Sequence, residues 1–333
     1  MRVPVLGAEQ VYAAVTPEQA VEAVRAAFVN YFRGEWSMPP KVYVPAYPAG
    51  DFRAMPALGA GHALLKWVTS FPGNPGQGLP TVMGVVLLSD ASNGMPVAVL
   101  DAGAVTALRT GAAAVLAAET LGRTDGPAAI VGAGINGVAT ARTFLARGRE
   151  ILIWDVDENR ARSAAEELRG RAAGRDEALS AQVVATVTPA REAIFTEASL
   201  QSGQHVSLMG ADGPGKAEIA VEELARVHVF CDDWVQASPS RTRHAERPRF
   251  RVFCDDWIQA SHNGDLAHAV HAAVIGQEDV TELGAVLAGE APGRRSDRDI
   301  TVFDSTGLAI QDLAVALAAM ERADELDLPS VEL

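Results

Sequence analysis

Hydrophobic positions along this chain change their period several times, and the changes outline two architectures. From Ala128 to Val131 four apolar residues run without a break, followed by Gly132, Gly134 and Gly137 and an alanine-rich stretch to about Arg147. A second apolar run, Glu150 to Trp154, ends on Asp155. Short apolar runs bounded by glycine suit strands buried on both faces, and the helical stretch between them completes a strand–helix–strand unit. Helical spacing continues from Asp157 to about Arg171. The runs QVVATVTP (182–189), HVSLMGAD (205–212) and RVFCDDW (251–257) predict further parallel strands, each closing on small or polar residues. Few residues separate Arg171 from Gln182, so the strand at that edge is expected to be short.

The first 120 residues read differently. Strand-like runs occur at KVYVPAY (41–47), ALLKWV (63–68), TVMGVVLLSD (81–90) and PVAVLDA (96–102). The last two are joined by ASNG, a hairpin signal. Helical spacing predicts helices over Pro17–Arg33, Ala102–Gly122 and Gly307 to about Leu326. The expected fold class is therefore α/β: a Rossmann dinucleotide-binding domain over 121–303, and an α+β substrate-binding domain over 1–120 joined by 304–333.

Composition narrows the function classes. The chain has 333 residues, is 48% hydrophobic and carries a formal net charge of −14. Such a surface repels nucleic acid and anionic membranes, so neither partner is expected. No run reaches the length of a membrane span, and no signal peptide is read at the N-terminus, so a cytoplasmic location is expected. The two cysteines, Cys231 and Cys254, suggest neither a disulfide framework nor a metal cluster. His268 and His271 lie on an ordinary helix face, and no metal is expected. An acid-rich, lysine-poor chain also suits high salt. Only three lysines, Lys41, Lys66 and Lys216, stand against 25 arginines. Arginine stays protonated in proteins, whereas a buried or crowded lysine can release its proton. A lysine retained in an arginine-rich chain is thus a candidate acid–base group.

Gly132, Gly134, Ile135, Asn136 and Gly137 form the turn and first helical residues of a G-x-G-x-x-G element, where backbone N–H groups meet a pyrophosphate. Asp155 stands where an acid accepts from the adenosine ribose hydroxyls, which favours NAD over NADP. Arg160, five residues on, keeps NADP as the lesser alternative.

The stretches PPKVYVP, GDFRAMPA, LLKWVTSFPGNP, LPTVMGVVLLSD, ALRTGAAA, GADGPGKAE and DSTGLAIQD resemble the ornithine cyclodeaminase/mu-crystallin family, in its order, from residue 39 to 312. Within that family they are most similar to its archaeal-type alanine dehydrogenases. The resemblance implies a homodimer packed through the N-terminal domains, with NAD bound in the Rossmann domain and a small amino acid as substrate. It also implies roles. Lys66 would transfer the proton and Asp212 would activate water. Arg53, with Lys41, would hold the substrate carboxylate, a task suited to a guanidinium fork. Arg109 and Thr110 would contact the cofactor phosphates, while Thr81, Thr188, Lys216 and Ser305 would lie near the cofactor or its ribose. The expected activity is NAD-dependent oxidative deamination of L-alanine. The alternatives are ornithine cyclisation, reduction of a cyclic imine, and ligand carriage like that of mu-crystallin. KWVTSFPGNP lacks the histidine that cyclodeaminases carry before the proline.

One feature departs from the family. VFCDDWVQAS (229–238) recurs as VFCDDWIQAS (252–261), and only the second copy is followed by HNG. The second copy therefore reads as native-like and 229 to about 250 as an inserted duplicate. The opposite assignment, with the first copy forming the strand, stays open.

Overall fold

A computed structural model describes residues 1–196, 198–211, 215–224, 228–231 and 264–333, with backbone alone for 228–231 and 278. The chain divides into two compact units: Met1–Arg109 with Leu308–Leu333, and Thr110–Gly307.

The strands are numbered along the chain. The first unit holds β1 (Arg2–Leu6), β2 (Val42–Ala46), β3 (Gly50–Gly59), β4 (His62–Ser70), β5 (Val82–Asp90), β6 (Pro96–Asp101) and β15 (Ser330–Glu332). They form one sheet in the order β15-β1-β6-β5-β4-β3-β2. Strands β2 to β6 pair antiparallel with their chain neighbours, and β1 joins β6 in parallel. Strand β3 has no counterpart among the predicted strand-like runs. Its inward residues include Asp51 and Arg53 as well as Met55 and Ala57, so charge interrupts the apolar alternation that marks a strand.

The inward face continues with Leu64, Lys66 and Val68 of β4 and with Val86 and Leu88 of β5. The helix Ala309–Met320 packs against β3, β4 and the helix Pro17–Phe32. Pro17–Phe32 starts where Thr16 and Gln19 form a reciprocal capping box and Pro17 occupies the first turn. Its buried residues, Ala20, Val21, Val24, Ala27 and Phe28, make the apolar stripe expected of an amphipathic helix. The opposite sheet face exposes Val42, Val44, Leu65, Trp67 and Val85, with Phe52 stacked on Trp67.

Among the described residues, the second unit holds an eight-stranded parallel sheet. It contains β7 (Ala128–Val131), β8 (Ile151–Trp154), β9 (Arg171–Ala172), β10 (Val183–Thr186), β11 (His205–Leu208), β12 (His228–Cys231), β13 (Val280–Glu282) and β14 (Thr301–Asp304). Their order is β13-β12-β14-β11-β10-β7-β8-β9. From β7 the chain builds one way through β8 and β9, then returns to lay β10 on the other side of β7. This reversal is the switch point at which Rossmann sheets open a crevice for a nucleotide. The Rossmann fold expected from sequence is thus present, and its edge strand β9 is only two residues long. Strand β12 comes from the first copy of the repeat, the assignment that the sequence left open. The second copy, and with it the strand expected over 251–257, lies outside the described residues. The helix Ala102–Leu121 is long and apolar enough to cross a membrane, but 83% of its apolar window is buried inside the protein, as befits a core helix.

Candidate functional site

Among the described residues, each unit carries a constellation of chemical interest. In the first, the alternation of β4 turns Lys66 inward and burial leaves it 1% exposed. Its Nζ lies 2.7 Å from Oδ2 of Asp312 and donates to Oγ1 of Thr106 at 3.3 Å. Asp312 is fully buried near the start of the helix Ala309–Met320. Arg109, one helical turn beyond Thr106, sets its Nε 3.5 Å from Oδ1 of the same carboxylate, and its Nη1 reaches Oε1 of Gln311. Arg53 stands on β3 opposite Val68, one step along the buried face from Lys66. Its Nε donates to Oδ1 of Asp51 at 2.6 Å, and the guanidinium lies 5.4 Å from the centre of the Tyr43 ring.

These charges set the state of Lys66. Burial is the largest influence and disfavours the ammonium; Arg109 and Arg53 push the same way, while Asp312 opposes them. The balance lowers the Lys66 pKa from 10.5 to about 8. Lys66 therefore sits where an amine can both take up and release a proton near neutral pH. The Nε of Arg109 and the Nε2 of Gln311 are buried donors that make no hydrogen bond among the described residues. Lys66, Arg109 and Arg53 gather here beside Asp312 and Asp51, so an anion entering here would meet clustered cations and the two buried donors of Arg109 and Gln311.

The second constellation is the glycine loop. Gly132 has φ +105, and a Cβ there would lie 2.6 Å from the Val187 carbonyl; a Cβ on Gly137 would lie 1.8 Å from the Gly132 carbonyl. Both positions admit only glycine. Around Gly134 there is open space, and the helix Ile135–Ala146 begins there without a side-chain cap. Uncapped N–H groups beside an open glycine make an anion cradle of the kind that receives a pyrophosphate. Asp155 is buried at the end of β8, where Oδ2 accepts from the Ala133 amide at 2.7 Å and Oδ1 from that of Asp157 at 2.9 Å. The same carboxylate thus pins the loop and puts a negative charge beside it.

The remaining expected residues fall in several places. Lys41 is buried just before β2. Thr81 stands before β5, its carbonyl accepting from the Phe71 amide. Arg109, carried over as a phosphate contact, is placed in the Lys66 cluster. Thr110 is buried, with a hydroxyl that has no partner among the described residues. Thr188 follows β10, its hydroxyl donating a hydrogen bond to Oε1 of Glu218. Lys216 offers its carbonyl to His268. Ser305 is buried after β14, its amide bonded to the Leu208 carbonyl. Asp212 lies outside the described residues. Sequence reasoning passed over Asp312, Gln311 and Thr106. A signal for the first two was present: adjacent polar residues inside the otherwise apolar run LAIQDLAVALAAM.

The switch point, glycine cradle and Asp155 define a Rossmann dinucleotide-binding protein, and the first unit adds a buried lysine–carboxylate cluster. The chain belongs to the ornithine cyclodeaminase/mu-crystallin family, whose profile matches residues 3–327. It is 39% identical to the alanine dehydrogenase of Archaeoglobus fulgidus, covering 97% of this chain and 96% of that protein. A Δ1-pyrroline-2-carboxylate reductase of Bacillus cereus is 30% identical, with 81% of each chain covered. Among solved structures, an archaeal alanine dehydrogenase dimer with bound NAD superposes with a TM-score of 0.87 at 38% identity, covering 100% of both chains. The family membership expected from the sequence motifs is borne out.

Proposed function

We propose that this protein is an NAD-dependent dehydrogenase that converts L-alanine and water to pyruvate and ammonium, and runs the reverse reductive amination. The observation that carries this reading is the buried Lys66–Asp312 pair, set among arginines so that Lys66 exchanges a proton near pH 8. The similarity to alanine dehydrogenases over nearly the whole chain supports it.

In this scheme the first unit binds the amino acid and the second binds the nucleotide. Arg109 and Arg53 supply the charge that holds the substrate carboxylate, with Lys41 as a further candidate. Neutral Lys66 accepts a proton from the substrate ammonium at Nζ, leaving a free amine whose lone pair can form the iminium as the Cα–H bond breaks. NAD, when bound, supplies the hydride acceptor. Residues fit for it are Gly132, Gly134, Ile135, Asn136 and Gly137 at the pyrophosphate and Asp155 at the ribose, where a carboxylate disfavours a 2′-phosphate. Asp212 is assigned activation of the water that attacks the iminium carbon. Asp312 holds Lys66 in place and stabilises its protonated form.

A second reading, reduction of a cyclic imine, uses the same groups and is favoured by the likeness to the Bacillus cereus reductase. Incubating the purified protein with NAD and L-alanine is expected to form NADH. L-Ornithine run in parallel, scored for proline and ammonia, and Δ1-pyrroline-2-carboxylate with NADH separate the alternatives. Turnover of the cyclic imine without NADH formation from alanine would replace the first reading by the second.

The exposed apolar face of the first sheet fits a homodimer. Leaving Leu65, Trp67 and Val85 in water is unfavourable, and a second copy of the same face would cover them. Light scattering is expected to give twice the 35.0 kDa chain mass. Trp67→Asp, placing a charge on that face, is expected to give single chains; an unchanged dimer would locate the interface elsewhere.

A further inference from the structure

The second unit holds a buried carboxylate that the reaction scheme does not use. Glu218 is fully buried. Its Oε2 accepts from the Thr186 hydroxyl at 2.7 Å and the Gly210 amide at 2.9 Å. Its Oε1 accepts from the Thr188 amide at 3.0 Å and the Thr188 hydroxyl at 2.7 Å. An ionised carboxylate only accepts, so these four donors match it. They belong to two segments. Thr186 ends β10 and Thr188 follows it, while Gly210 stands just after β11. The segments touch here, because a Cβ on Gly210 would lie 2.0 Å from the Thr188 carbonyl.

The backbone of Glu218 is fixed as well. The amides of Glu218 and Ile219 donate to Oδ1 of Asp265 at 2.7 and 3.2 Å. The amides of Asp265 and Leu266 in turn donate to Asp304, at the end of β14. These acids are linked through backbone amides rather than around a common centre. Among the described residues no three acidic, histidine or cysteine side chains could hold a metal ion. The network serves to lock strand ends together.

Those ends lie on the side where Rossmann sheets carry their ligands, since nucleotides bind across the carboxyl ends of the strands at the switch point. β10 borders the switch point and β11 follows it. We propose that Glu218 is a positioning residue for the dinucleotide, fixing the spacing of the segments after β10 and β11 that border its crevice. This inference rests on the reading of the second unit as an NAD site.

The test is NADH binding, followed by fluorescence well below each variant's melting temperature, together with steady-state kinetics. Glu218→Gln turns one acceptor into a donor facing donors. It is expected to raise the Kd for NADH about tenfold or more and to lower kcat, with the KM for the amino acid unchanged. Thr186 is fully buried and bonds Glu218 through its hydroxyl. Thr186→Val is expected to weaken NADH binding less, and Thr186→Ser, which keeps the hydroxyl, to restore it. A merely structural role would lower the melting temperature and leave the Kd alone. Wild-type affinity in Glu218→Gln, or in Thr186→Val if the first does not fold, overturns this inference alone. A wild-type protein that binds no NADH overturns the nucleotide reading and this inference with it.

Discussion

Replacing Lys66 by Met is expected to lower kcat/KM for L-alanine oxidation by about 10²- to 10⁴-fold, the usual contribution of a placed acid–base group. The pH profile of the wild type gives the sharper test. Oxidation needs the neutral amine, because only a neutral Nζ accepts the substrate proton. The neutral fraction grows as pH rises, so log kcat/KM should climb with unit slope below about 8 and level off above it. Lys66→Arg should not rescue, since arginine does not deprotonate in a protein. If the limb near pH 8 persists in Lys66→Met, another group titrates and the assignment fails.

Asp312→Asn is expected to have the second largest effect, and its signature is a displaced pH limb. In the wild type Asp312 opposes burial, Arg109 and Arg53, all of which drive Lys66 toward its neutral form. Without that negative charge the Lys66 pKa falls further, and the limb should move below 8 by about one pH unit or more. Reductive amination, which needs the protonated lysine as a donor, should then lose most of its activity near neutral pH. Oxidation at pH 7 should be comparatively spared. The variant also leaves buried cations without their carboxylate, at a cost of about 3–5 kcal/mol in stability, so its melting temperature should drop. A limb that stays at 8, or moves upward, would show that Asp312 does not govern Lys66.

The two constellations differ in how far the sequence revealed them. The glycine loop was legible because its determinants are local. Strand, turn, helix and Asp155 follow one another within a single unit, and Gly132 and Gly137 are forced by close backbone approach. Lys66 was legible for a different reason: in a chain that writes its cations as arginine, a lysine inside an apolar strand stands out. Strand β3 was missed because Asp51 and Arg53 face inward and spoil the apolar alternation. The contacts of the Arg109 guanidinium with Asp312 and Gln311 were not legible, because they join residues about 200 positions apart. Glu218 is one acid among many in the sequence, and nothing in GPGKAE announces that four donors from two segments converge on it.

The sequence by itself determined the Rossmann unit, the nucleotide loop and the family, and it singled out Lys66 as a candidate acid–base group, because each is written in contiguous residues whose backbone or protonation requirements are specific. Only the tertiary structure decided which carboxylate partners that lysine, which cations crowd it, and which acid latches the strand ends of the second unit. Those relations join residues far apart in the chain, and the state of a buried charge is set by what surrounds it in space rather than by its neighbours in sequence.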